Sequence, residues 1–203
     1  AFKMDIYKAL QDISIRSELP FIENITENMI DVIQKTKASI DMKAVEEATN
    51  IILQSKQVLI AGMGTSHTTA LDMFSKIIRA GVNAIVINDS HFSYMYTALL
   101  NKDSCAIVYS FSGETEEMIK FTKNCKDKNV KIIVISNYSN STLSTLADVF
   151  LKTNGFENEI SGGFFCSKIS QVYVSDILVT SCALRDIEKT KKYVQGVTNT
   201  VLK

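Results

Sequence analysis

The pattern of apolar and polar positions changes character at Gln57. Before it, apolar residues recur at three- and four-residue spacings, which predicts amphipathic helices interrupted at Pro20, the only proline in the chain. After it, short apolar runs rich in Val and Ile alternate with helical patterns. These runs predict five strands, at 58–61, 83–88, 104–109, 130–136 and 148–152.

Strands that alternate with helices favour an α/β fold with a parallel sheet. We predict a three-layer sandwich, in which a five-stranded parallel sheet is flanked by helices. In the flavodoxin-like strand order 2-1-3-4-5, the carboxyl ends of strands one and three flank the topological switch point, which is where open α/β sheets bind ligands.

Strands one and three both end in turns that are rich in hydroxyl groups and glycine. Gly62-Met63-Gly64-Thr65-Ser66 follows strand one, and Ser110-Phe111-Ser112-Gly113-Glu114-Thr115 follows strand three, with a helix predicted to start near Glu114. Backbone N–H groups and the helix dipole favour an anion there, and hydroxyl groups add donors without charge, so we expect a phosphate site. Alternatively, Ser112 or Thr115 only caps the helix and the glycines only serve tight turns. The two loops by themselves leave both interpretations open.

Composition and charge narrow the range of partners. The chain is 46% hydrophobic, and 22 basic residues balance 22 acidic ones, which argues against a nucleic-acid-binding surface on this stretch. No apolar run reaches the length of a membrane span, so we expect no membrane partner. The four cysteines show no C-x-x-C spacing, so we expect neither a metal site nor a redox pair, and a reducing cytoplasm fits.

Five short motifs follow one another along the chain: Gly62-Met63-Gly64-Thr65-Ser66, Lys76-Ile77-Ile78-Arg79-Ala80-Gly81, Asp89-Ser90-His91, Ser110-Phe111-Ser112-Gly113-Glu114-Thr115 and Ser167-Lys168-Ile169-Ser170-Gln171. In this order they resemble the sugar isomerase (SIS) domain of RpiR-type bacterial transcriptional regulators, over about residues 43–184. The resemblance assigns 43–203 to a phosphosugar-binding SIS domain. It assigns 1–42 to a helical lead-in from a helix-turn-helix domain that this chain lacks.

The resemblance also implies which residues bind the ligand. Four hydroxyl residues match positions that hold the phosphate: Ser66, Ser110, Ser112 and Thr115. The backbone N–H groups of the second loop, including those of Gly113 and Glu114, contribute donors, and Gly64 lets the first loop approach the ligand closely. His91 matches a sugar contact, and Lys168 matches a basic position near the ligand. By themselves, His91 would be a hydrogen-bonded structural histidine and Lys168 a solvated lysine.

Two functions from different classes remain. The first is a sensor that binds a phosphosugar without chemistry, forms a homodimer or homotetramer, needs no cofactor, and reaches DNA only through the absent domain. The second is an aldose–ketose phosphate isomerase, which needs a positioned base. The candidates for that base are Glu114, Glu116, Glu117, His67 and His91, although glutamates at a helix start are ordinary partners of its dipole. A stand-alone binding module is a third, weaker interpretation.

Overall fold

The computed structural model describes residues 21–87, 90–155 and 166–201 of the chain, so the predicted helix around residues 2–14 lies outside the described residues. The elements follow in this order: α1 (Phe21–Ser39), α2 (Met42–Gln54), β1 (Gln57–Gly62), α3 (Thr65–Ile77), β2 (Ala84–Ile87), α4 (Ser90–Leu99), β3 (Ser104–Tyr109), α5 (Glu116–Lys126), β4 (Lys131–Ser136), α6 (Thr142–Leu146), β5 (Val149–Lys152), α7 (Cys166–Arg185) and α8 (Ile187–Val201).

The five strands form one parallel sheet in the order β2-β1-β3-β4-β5, which confirms the predicted fold class. In this sheet Gly62, the last residue of β1, pairs with Tyr109, the last residue of β3. The loops that follow these two strands therefore start side by side at one edge of the sheet. The switch point of the strand order lies between them.

Alternate residues of the strands pack against two separate layers of helices. In β3, Cys105 and Ile107 belong to a core shared with α2, α3 and α7. Ala106 and Val108 point to the opposite side, into a core shared with α5 and α6. The sheet is thus buried on both faces, which explains why its strands are continuous apolar runs.

Helix α1 contacts α7 and is hydrogen-bonded to Asn154, which lies just after the end of β5. The backbone N–H of Asn154 donates to Thr36 Oγ1 at 3.1 Å, and its side-chain Nδ2 donates to Lys35 O at 3.1 Å and to Ser39 Oγ at 2.5 Å. Within α1, Val32 and Thr36 are fully buried. The proposed domain boundary at residue 42 stays a prediction.

Two helix boundaries have a local cause. The helix after β3 begins at Glu116 rather than near Glu114, because the intervening residues are bonded into a turn. Helix α7 ends at Arg185, and α8 begins at Ile187. Asp186 starts this new helix, since its carboxylate accepts the backbone N–H of Lys189 at 3.0 Å.

Candidate functional site

The loop after β3 is held by hydrogen bonds between its own residues. Ser110 Oγ accepts the N–H of Gly113 at 3.0 Å and lies 3.0 Å from Thr115 Oγ1. Ser112 Oγ accepts the N–H of Glu114 at 3.1 Å. The loop therefore brings together five of the predicted site residues at the carboxyl end of β3, and two of its N–H groups already have a side-chain acceptor.

The hydroxyl groups of this loop do not cap α5. Thr115 occupies the N-cap position, but its side chain makes no capping hydrogen bond and pairs with Ser110 instead. Ser112 bonds an N–H that lies before the first helical residue, Glu116. The geometry therefore removes helix capping as the explanation of these two hydroxyl residues, while ligand binding by them stays a prediction.

Gly113 is the point at which the loop requires glycine. Its φ is +71°, a conformation that side chains disfavour, and a Cβ there would lie 2.1 Å from Ser141 Oγ and 2.4 Å from Ser141 Cβ. The carbonyl of Gly113 accepts the N–H of Leu143 at 3.1 Å. Direct contact with the β4–β5 connection thus fixes the path of the loop.

The carboxylate of Glu114 is bonded to the same connection. It accepts the backbone N–H of Thr142 at 2.6 Å through Oε1 and the Thr142 hydroxyl at 2.7 Å through Oε2. These two hydrogen bonds lower the pKa of the exposed Glu114 carboxyl below its ordinary value. The side chain is thereby held in its ionised form and occupied by another loop, which makes it a poor general base.

The loop after β1 places Ser66 against the N-terminal part of α7. Gly64 has a φ of +56° and precedes α3, and Ser66 lies in the first turn of that helix with 6% of its surface exposed. Gln171 Nε2 donates to Ser66 Oγ at 3.2 Å, and one turn further along α7 Ser175 Oγ lies 2.6 Å from Tyr109 Oη. Helix α7 therefore crosses the carboxyl ends of both β1 and β3.

The two predicted site residues outside these loops are placed less fully. Lys168 lies half-buried in the first turn of α7, and within residues 21–87, 90–155 and 166–201 it forms no ion pair. A Cβ on Gly155 would lie 2.7 Å from the Cα of Ser167 and 3.2 Å from the ring of Phe111, so α7 begins beside the β3 loop. His91 falls in the first turn of α4, and its side chain lies outside the described residues.

Two residues of this region were given no role by the sequence. Thr142 holds Glu114 from 28 residues away, and Gln171 reaches Ser66 across 105 residues. For Gln171 a signal was present, because it follows Lys168 by three residues and such spacing puts both on one face of a helix. No sequence pattern around Thr142 indicates its role, because its partner Glu114 comes close only in the folded structure.

Other chemistry is not supported by the residues described. Among them no three His, Cys, Asp or Glu side chains come together as a metal site. The thiols of Cys105, Cys125 and Cys182 are buried and free, and burial raises the pKa of Cys105 to about 11 and of the other two to about 12, so they stay protonated at neutral pH. None of the described helices has both the length and the apolar composition needed to cross a bilayer.

Comparison with solved structures identifies molecules of the same fold. NanR of Vibrio vulnificus, in a complex with ManNAc-6P, superposes with a TM-score of 0.85 at 23% identity, covering 97% of this chain and 74% of that one. The sugar isomerase domain of an RpiR transcription factor from Sphaerobacter thermophilus gives a TM-score of 0.82 at 19% identity, covering 90% and 99%.

Comparison of sequences shows the family. An HTH-type transcriptional regulator of Bacillus subtilis, YbbH, is 30% identical over 190 residues, which are 93% of this chain and 67% of YbbH. The chain spans between about half and two thirds of the length of the curated regulators it matches. The SIS domain family matches residues 51–181, which include both hydroxyl-rich loops and Gln171. The chain therefore belongs to the SIS domain family, and it is similar to the SIS domains of HTH-type transcriptional regulators.

Proposed function

We propose that this SIS domain binds a sugar phosphate as the effector of a transcriptional regulator. The observation that carries the proposal is the loop after β3, which gathers the hydroxyl groups of Ser110, Ser112 and Thr115 at the start of α5 without using Thr115 as a cap. The dianionic phosphate of a sugar phosphate accepts hydrogen bonds only, so such a set of donors at a helix N-terminus suits it. The similarity to YbbH and the phosphosugar bound to NanR support the same interpretation.

In this proposal the two loops and α7 contact different parts of the ligand. The β3 loop holds the phosphate, Ser66 adds a hydroxyl group from the neighbouring loop, and the absence of a side chain on Gly64 leaves room for the ligand. Lys168 supplies a cation from the first turn of α7, and its charge-assisted hydrogen bonds are stronger than neutral ones. His91 contacts the sugar.

The whole regulator would contain more than this chain. We propose that the SIS domain forms a homodimer or homotetramer and that DNA is bound only by a helix-turn-helix domain that precedes it. The isolated chain should not bind duplex DNA, because its net charge is zero and affinity for DNA depends on neutralised phosphates. A regulator of this kind works in the cytoplasm, where DNA and sugar phosphates are both present.

Binding is tested by titration calorimetry with a panel of hexose and N-acetylhexosamine 6-phosphates and the matching unphosphorylated sugars. One phosphorylated sugar should bind and its unphosphorylated form should not. The double variant that combines Ser110→Ala and Ser112→Ala should bind more weakly by about tenfold or more per hydroxyl group, since a hydrogen bond to a charged group contributes about 1.5–3 kcal/mol. The control is Ser75→Ala, an exposed hydroxyl near the far end of α3 that bonds only Asp72 O. Equal affinity of the double variant and this control would remove the loop from the site.

The isomerase alternative makes a separate prediction. An isomerase must remove a carbon-bound proton, and the glutamate in the loop, Glu114, has a lowered pKa and is bonded to Thr142. We therefore expect the bound sugar phosphate to keep its proton when incubated with the protein in deuterated water. Deuterium incorporation next to the carbonyl carbon, abolished by His67→Asn or Glu116→Gln, would replace the sensor by an enzyme.

A further inference from the structure

A buried hydrogen bond fixes the direction of the Ser66 hydroxyl. Gln171 is 2% exposed and Ser66 is 6% exposed, and the amide Nε2 of Gln171 lies 3.2 Å from Ser66 Oγ as its donor. A primary amide nitrogen only donates, so Ser66 Oγ is the acceptor in this contact. A serine hydroxyl carries a single proton of its own, and that proton is left for another acceptor. Within the described part of the chain, no acceptor for the Ser66 proton is found.

The same arrangement recurs in the neighbouring loop. Ser110 Oγ accepts the Gly113 N–H and Ser112 Oγ accepts the Glu114 N–H. In each case a nitrogen donor of the protein fills an acceptor position of the hydroxyl oxygen. Ser66 and Ser112 are therefore biased towards donating, whereas one of the two protons of Ser110 and Thr115 is used in the hydrogen bond between them. That bias suits a ligand group that only accepts, such as a phosphate.

We propose that Gln171 is a positioning residue that orients the Ser66 hydroxyl to donate to the phosphate of the ligand. The inference rests on the proposed phosphosugar function and assigns it one residue more. Gln171 does not touch the ligand in this mechanism, and it acts entirely through Ser66. Its effect on binding therefore disappears when the Ser66 hydroxyl is absent, whereas a side chain that only fixed α7 against α3 would matter in either case.

The experiment measures binding of inorganic phosphate, followed by the line width of its ³¹P resonance, to variants of similar size at position 171. Gln171→Met removes the donor, and Gln171→Glu replaces it by an acceptor and a negative charge. We expect Gln171→Met to weaken phosphate binding several-fold in the natural sequence and to have no effect in a Ser66→Ala background. Ser175→Ala is the control, because it removes two buried hydrogen bonds of α7, to Tyr109 Oη and to the backbone carbonyl of Gln171, and leaves the Gln171 side chain in place; phosphate binding should stay as in the natural protein.

The pH dependence of Gln171→Glu separates orientation from packing. An ionised carboxylate turns the Ser66 proton towards itself, whereas a protonated carboxyl group donates to Ser66 as the amide does. The ratio of phosphate affinities between the variant and the natural protein cancels the titration of phosphate itself. That ratio should recover as the pH falls through the pKa of the introduced carboxyl group, and it should recover by more than in a Ser66→Ala background, where only the charge repulsion between carboxylate and phosphate remains. Thermal melts check that the proteins are folded.

The outcomes distinguish this inference from the function on which it rests. If Ser66→Ala weakens phosphate binding but Gln171→Met does not, or if the two effects multiply, the positioning role is wrong and the phosphate site stands. A flat affinity ratio across pH for Gln171→Glu would likewise refute the role. If neither inorganic phosphate nor any sugar phosphate of the panel binds the natural protein, the proposed function itself is wrong, and the inference with it.

Discussion

The substitution Gly113→Ala tests whether the β3 loop is shaped by its contact with Ser141. Two separate costs add at this position. An L-residue held at a positive φ is strained by about 1–2 kcal/mol. The new Cβ would also lie 2.1 Å from Ser141 Oγ and 2.4 Å from Ser141 Cβ, so the serine must move away.

The cost of displacing Ser141 follows from its hydrogen bonds. Its hydroxyl donates to Tyr138 O at 2.9 Å and accepts the N–H of Ser144 at 3.3 Å as the N-cap of α6. Losing an N-cap costs about 1 kcal/mol, and losing a hydrogen bond costs about as much again. Together with the strain, Gly113→Ala should lower the free energy of unfolding by about 3–4 kcal/mol.

Urea denaturation of a double-mutant cycle measures the two costs separately. In a Ser141→Gly background the two overlapping atoms are gone and Ser136 Oγ, 3.1 Å from the new Cβ, has to shift only slightly, so Gly113→Ala should then cost little more than the strain of about 1–2 kcal/mol. Gly64→Ala is the control, since Gly64 also has a positive φ but a Cβ there meets nothing within 4 Å. Its cost should be the same in both backgrounds. Additive effects of Gly113→Ala and Ser141→Gly would refute the reasoning.

Three other outcomes are expected. Burial raises the pKa of Asp148, but the Ile132 N–H and the Lys131 ammonium outweigh burial and hold this pKa below its ordinary 3.8. The stabilisation that results is present above pH 3.8 and is lost as the pH falls through the lower pKa of the folded state. The urea midpoint of Asp148→Asn should therefore fall less in acid than the midpoint of the natural protein. Parallel midpoint profiles would contradict this. Glu114→Gln should leave sugar-phosphate affinity near its natural value by calorimetry, because the carboxylate bonds another loop; a tenfold loss would place it on the ligand. Sedimentation at micromolar concentration should show a dimer or larger assembly, since apolar side chains of α1 and α8 are exposed; a stable monomer would oppose it.

The sheet could be predicted because its strands are buried on both faces. Such strands appear as continuous apolar runs, and the polar turns between them mark where each one ends. Val58 to Ala61 and Ile132 to Ile135 are fully buried in the structure, as their composition indicates. The flavodoxin-like strand order was a hypothesis under which the two polar turns flank one crevice, and the observed pairing of β1 with β3 confirms it.

The polar contacts of the candidate site could not be predicted from the sequence. Apolar periodicity reports which positions are buried, but it carries no information on the partner that a polar side chain finds across the fold. Glu114 was assigned to the ligand or to catalysis, and only the placed loops show its carboxylate on Thr142. Periodicity gives no sign of the break at Asp186 either, because a charged residue between two helical patterns is equally compatible with an exposed position of one long helix.

The three hydrogen bonds of Asn154 attach α1 close to its C-terminal end. These bonds hold the helix near Thr36. From Thr36 to Phe21 the helix axis is about 22 Å long, at about 1.5 Å per residue. A tilt of about 5° at this attachment displaces the far end by about 2 Å on that length. The attachment adjoins Gly155, which packs against the first turn of α7 beside Phe111. A displacement where α7 begins would reach α1 through these bonds, and the motion from a tilt that it caused would be largest at the Phe21 end of the helix.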